Sequence, residues 1–172
     1  MQKKDGEVIM NQVLEKTDKN VNELNIKEIV VAVDLSPHSE KTAAYAAKFA
    51  KTWGAAMTLV HAFAPEHITE FTTQEVHETY REEEREAKRA LGRLANHVRE
   101  TYGECGCEFR IGDPAEEVTL VAKNLDADLI VTASHHPHFL SRLFGLDQAP
   151  RILHKARCPV LVYHEEKELA EA

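Results

Sequence analysis

The chain has 172 residues, with 21 basic and 29 acidic side chains and a formal net charge of −8. Its 43% hydrophobic and 29% charged residues are the composition of an ordinary globular domain and argue against a disordered chain. The acidic balance disfavours non-specific binding to nucleic acid or to an anionic membrane surface, and 6% aromatics are too few for a base-stacking platform.

No apolar run approaches the roughly 20 residues needed to span a bilayer. The opening MQKKDGEVIMNQ has no apolar core of a secretory leader. Three cysteines, Cys105, Cys107 and Cys158, read as reduced thiols of a cytoplasmic protein and not as a disulfide framework.

Residues 1–26 form a polar, mixed-charge N-terminal extension. Val8, Ile9, Val13 and Leu14 offer it one weak helical stripe, so it is expected to dock weakly or not at all. The domain proper is placed at 27–164, and 165–172 is a polar tail. Ile29–Val33 is a continuous β-branched run and predicts a strand buried on both faces. It runs into Asp34. Ser36 is expected to cap the next helix, with Pro37 at its first position. Ala43, Ala47 and Ala50 carry that helix to Trp53, and Gly54 stops it.

Ala56–Phe63 is the second predicted strand. A long helix follows from about Thr72 to Tyr102, with Val76, Tyr80, Ala87, Leu91, Leu94 and Val98 as its apolar stripe. The charge run Arg81–Arg89 is its solvated face. Cys105–Ile111 is a third, shorter strand. Asp113-Pro114-Ala115-Glu116 is a helix start, with a capping Asp, Pro at the first position and Glu where a capping box needs it. Leu129–Thr132, a short helix over Gln148–Leu153 and the strand Cys158–Tyr163 complete the alternation.

Strands separated by helices imply βαβ crossovers and a parallel sheet covered on both faces. Ligands of such sheets bind beyond the carboxyl ends of the strands, where the strand order reverses. The segments of interest are therefore Asp34–Ser39, Phe63–Glu66 and Ala133–Asp147.

Four segments resemble the universal stress protein family. IVVAVDLSPHSEKTAAYAAKFA (Ile29–Ala50) is similar to the family's opening strand, Asp and helix. GDPAEEVTLVAKNLDADLIV (Gly112–Val131) is similar to its third helix and fourth strand. FLSRLFG (Phe139–Gly145) is similar to the following loop, and RILHKARCPVLVY (Arg151–Tyr163) to the last helix and strand. The resemblance implies an α/β fold with three layers. Its doubly wound five-stranded parallel sheet has strand order 3-2-1-4-5, the adenine-nucleotide-hydrolase-like arrangement. It also implies a homodimer paired through the last strand, here Pro159, Val160, Leu161, Val162 and Tyr163, and an unidentified protein partner.

The family's ATP-binding members carry Gly, two residues, Gly, nine residues, then Gly-Ser or Gly-Thr. Aligned without a gap, Ala133 and His136 stand at the first two glycines and Leu146-Asp147 at the last pair. A one-residue gap brings Gly145 to the third position, followed by Leu146 where Ser or Thr belongs. The motif is broken either way. Glycines let backbone N–H groups approach phosphates at positive φ, and a free helix N-terminus attracts the anion. Asp147 would compete for those N–H groups and repel phosphate. The expectation is therefore a protein without a cofactor, the alternative being ATP or another adenine nucleotide held by an altered loop. Asp34 and Ser36, Ala133 and Ser134, His135 and Arg142 are the candidate lining of that cleft. Asp34 matches the family's Asp near base and ribose, or else accepts backbone N–H groups from a neighbouring loop.

His135, His136 and His138 invite a metal, but one loop without matched Cys or carboxylate ligands makes an exposed polar loop the expected state. Cys105 and Cys107, read as one strand, should face the same side. His61 is expected to be a packed or hydrogen-bonded residue of strand two. No nucleophile elbow, Walker loop or Rossmann glycine triplet is present, so no catalytic residue is assigned. The expected function is a non-catalytic, cytoplasmic stress-response regulator acting by dimerisation and partner binding.

Overall fold

The computed structural model describes residues 25–64, 74–134 and 148–164. The N-terminal extension before Asn25, the cleft residues His135 to Asp147 and the polar tail lie outside the described residues. Strands are β1 (Glu28–Ala32), β2 (Ala56–Phe63), β3 (Gly106–Ile111), β4 (Leu129–Ser134) and β5 (Val160–His164). Helices are α1 (Ser39–Trp53), α2 (Gln74–Tyr102), α3 (Pro114–Asn124) and α4 (Gln148–Lys155). The sheet is parallel throughout, in the order β3-β2-β1-β4-β5. This is the 3-2-1-4-5 arrangement expected of the sequence.

Alternation along the central strands builds two cores. Ile29, Val31, Leu59 and Val131 point to one face and pack under α1 and α2, against Ala43, Ala46, Ala47, Leu91, Ala95 and Val98. Val30, Val60 and Ile130 point to the other and pack under α3 and α4, against Val118, Val121, Ala122 and Ile152. The alanine face of α1 lets that helix lie close on the sheet. Its end follows from Gly54, whose φ of 65° no β-branched residue would take, and whose N–H donates to Ala50 O.

The charge run of α2 is solvated as expected. Arg85 pairs with Glu82 at 2.6 Å and Arg93 with Glu86 at 2.8 Å, all on exposed side chains. The apolar stripe is buried at Leu91 and Val98, whereas Val76 is exposed, because the first turns of α2 lie beyond the core.

Several local expectations are corrected. Ser36 is not the cap of α1. The helix begins at Ser39, because Leu35 adopts φ 62° and the chain makes a turn before entering it. Asp113 does cap α3, accepting from Glu116 N at 3.1 Å. The capping box is not closed, because the Glu116 carboxylate is bound to Lys155 Nζ at 3.0 Å instead. Strand three begins at Gly106, so Cys105 precedes it, buried, with its carbonyl accepting from Arg99 Nε at 2.7 Å. Cys107 is exposed, and the two thiols do not share an environment. Burial pushes the Cys105 thiol up to about 11. Strand five begins at Val160. Pro159, which lacks an N–H, offers only its carbonyl, to Ile130 N at 3.0 Å.

Candidate functional site

The order of the strands reverses at β1. One crossover leaves it toward β2 and β3, while the later strands add on the side of β4. The crevice above the carboxyl ends of β1 and β4 is where this topology places a ligand.

The β1 side of the crevice is a self-satisfied turn. Asp34 Oδ1 accepts from Ser36 N at 3.0 Å and from the buried Ser39 Oγ at 2.7 Å. Ser36 Oγ accepts from His38 N at 3.3 Å, and Ser36 O accepts from Ser39 N at 3.0 Å. The positive φ of Leu35 lets the chain fold back so that one carboxylate oxygen reaches both donors. Asp34 itself is exposed at the crevice rim. Of the two roles open to it, accepting hydrogen bonds is realised, within its own loop.

His61, near the carboxyl end of β2, stands beside this turn. Its Nδ1 donates to Val33 O at 2.9 Å, which fixes the Nδ1-H tautomer because a carbonyl can only accept. Its ring packs on Phe109 at 5.8 Å between centroids. Burial lowers its basicity below the ordinary histidine range, opposed by the Val33 bond and by the negative charge of Asp34. His61 is thus packed and hydrogen-bonded, as its place in a strand suggests.

The β4 side ends in Ala133 and Ser134, both half-buried, in register with Tyr163 and His164 of β5. Asp34 and Ser36 therefore stand in the turn that follows β1, and Ala133 and Ser134 at the end of the neighbouring β4. His135, His136, His138, Arg142, Gly145, Leu146 and Asp147 lie outside the described residues. Among the described residues, no three His, Cys, Asp or Glu side chains converge in a way that could hold a metal. No helix among them is long and apolar enough to cross a membrane.

Two features escape sequence reasoning. Asp113 accepts from Arg151 Nη2 at 2.7 Å, and with Glu116–Lys155 this clasps α4 to the start of α3. The clasp holds Asp113 ionised. Desolvation opposes this, but the Arg151 bond and the Glu116 N–H outweigh it and carry its pKa below the usual carboxylate value. A capping Asp is legible in the sequence, but its partner in a helix 38 residues away is not. The other feature is the Leu35 turn, since leucine gives no signal for positive φ.

A model of the Universal stress protein family matches residues 25–164. Universal stress protein A homolog 1 of Coxiella burnetii is 30% identical over 142 residues, covering 80% of this chain and 96% of that protein. Among solved structures, universal stress protein UspA from Lactobacillus plantarum matches with a TM-score of 0.67 at 20% identity, covering 81% of this chain and 99% of that one. The universal stress protein from Archaeoglobus fulgidus in complex with dAMP matches with a TM-score of 0.57 at 23% identity, covering 81% and 98%. These structural likenesses carry the fold.

Proposed function

The chain belongs to the universal stress protein family, and on that premise we propose that it is a non-catalytic cytoplasmic stress-response regulator. It acts by dimerisation through β5 and by binding a protein partner, without ATP. The observation that carries this reading is the end of β4. A glycine there would leave room for phosphate to approach the backbone, and this chain has Ala133. The same substitution pattern continues in the sequence with His136 and Leu146, and Asp147 puts an anion at the motif's Ser/Thr position. Losing two charge-assisted hydrogen bonds of about 1.5–3 kcal/mol each weakens a nucleotide roughly a hundredfold or more.

A second reading has a specific support. The relative from Archaeoglobus fulgidus was solved with dAMP, a mononucleotide that needs less of a phosphate cradle. Asp34 keeps its place at the rim of the crevice. An adenine mononucleotide held there is the alternative to an empty cleft.

The test is to denature the purified protein and identify what is released, then to titrate Mg-ATP and AMP by calorimetry. The expected result is no nucleotide released and no saturable Mg-ATP binding at tens of micromolar, an order-of-magnitude threshold on the affinity scale. Tight one-to-one Mg-ATP binding overturns the reading, and saturable AMP binding alone selects the second.

A further inference from the structure

The opposite end of the sheet from the crevice carries an apolar groove of about 320 Å³. Ile26 before β1, Phe49 and Trp53 at the end of α1, Leu129 at the start of β4, and Pro159 and Leu161 at β5 line it. Phe49 and Trp53 pack in a tilted pair at 5.2 Å between centroids, yet Trp53 remains 36% exposed. Large aromatic and aliphatic groups are thus gathered at the surface, next to an edge strand.

The described chain begins inside this groove. Asn25 lines it, and Ile26 is already 8% exposed, part of the core. Residues 1–24 therefore leave from the groove's own wall. They contain Ile9, Met10, Val13 and Leu14, at offsets of one, four and five, which share one face of a helix. The chain between Leu14 and Asn25 can extend to about 35 Å at roughly 3.3 Å per residue, more than enough to fold back over the groove. A tether this short holds the segment at an effective concentration on the order of millimolar. A weak apolar stripe that would not dock from solution can therefore dock here. Composition alone led to the expectation of weak docking, and it takes no account of where the extension starts.

We infer that residues 8–14 of this chain dock on the groove between the end of α1 and the start of β5, with the Ile9, Met10, Val13 and Leu14 face against Phe49, Trp53 and Leu161. The inference is independent of whether the crevice at the other end binds a nucleotide.

Trp53 is the only tryptophan of the chain, so its emission reads the groove directly. The experiment uses the full-length chain and an Ile9→Asp/Val13→Asp double variant, with far-ultraviolet circular dichroism as the check on the fold. The expected result is a red shift of emission and stronger acrylamide quenching in the variant. A photo-crosslinker at Val13 of the full-length chain should label Phe49, Trp53 or Leu161. Unchanged emission and quenching in the variant overturn the inference, as do crosslinks confined to other faces. Emission that follows protein concentration but ignores the double substitution also overturns it, and assigns the groove to a second copy.

Discussion

The two edges of the sheet are built differently. β3 carries Glu108 and Arg110, paired at 2.7 Å, with Lys88 of α2 lying 5.0 Å from the centre of the Phe109 ring and Cys107 exposed. β5 reads Val160-Leu161-Val162-Tyr163, with every one of these side chains half-buried and no charge until His164. Charges on an edge strand discourage pairing with another chain, and an apolar edge invites it. The difference teaches which edge is built to stay alone. The charged β3 edge and the uncharged, apolar β5 edge are what support the proposal of β5 as the dimer contact.

The largest effect should fall on what the two edges share. Leu59 in β2 and Ile130 in β4 are both fully buried, each one strand in from an edge. Leu59→Ala and Ile130→Ala should each cost about 2–5 kcal/mol, read as a lowered denaturant midpoint. A cost below about 1 kcal/mol at Leu59 would break the comparison, by making the β3 side a loosely attached flank.

Self-association should respond to one edge only. Val162→Lys is expected to weaken the dimer at least about tenfold, a loss of about 1.4 kcal/mol, in sedimentation runs at several concentrations. Cys107→Lys on the opposite edge should leave the sedimentation profile unchanged. The reverse pattern would move the contact to β3.

Acid should weaken the β3 side through His61, which joins Val33 O and the Phe109 ring. Its pKa is lowered in the fold by burial, so the unfolded chain binds more protons in the window between the two values. The stability it contributes is therefore full above the unfolded value of about 6.5 and is lost as pH falls through the folded value. His61→Leu should flatten that part of the pH–stability curve, while lowering stability at pH 8 by about 1 kcal/mol for the lost Val33 bond. An unaltered acid slope in His61→Leu would assign it to other groups.

The smallest effect belongs to the ion pair on the β3 edge. Both side chains are about a third exposed at 35%, so Glu108→Gln should cost about 1 kcal/mol or less, shrinking in high salt. A larger loss would point to Arg110, whose buried Nε has no hydrogen-bond partner among the described residues.

Periodicity and punctuation made much of this fold legible. The β-branched run at Ile29–Val33, the Asp113-Pro114 start and the Gly54 stop each act through a few neighbouring residues, and the structure places elements there. Strand order is a non-local property and became readable only through the family resemblance. The failures at Ser36 and Glu116 have a common cause. Each side chain had a local role by position and makes another contact instead: Ser36 Oγ accepts from His38 N within the turn around Asp34, and the Glu116 carboxylate binds Lys155. Of the candidate site, Asp34, Ser36, Ala133 and Ser134 are found together at the crevice, whereas the loop residues from His135 to Asp147 fall outside the described positions. The clasp of Arg151 on Asp113 was out of reach, because nothing in either segment announces the other.

Asp128 sets a schedule for the growing chain. Its Oδ2 accepts from Lys27 N at 2.7 Å and Glu28 N at 3.1 Å, tying the start of β1 to the start of β4 across sequence separations of 101 and 100 residues. The β2 side of β1 can pair as soon as α1 and β2 emerge. The β4 side must wait for about seventy more residues, which at roughly 5–20 residues per second takes on the order of 4–14 seconds. During that interval β1, whose Ile29, Val30 and Val31 are fully buried in the finished fold, has one open edge, and such an edge is open to mispairing. Slower translation would lengthen this exposure.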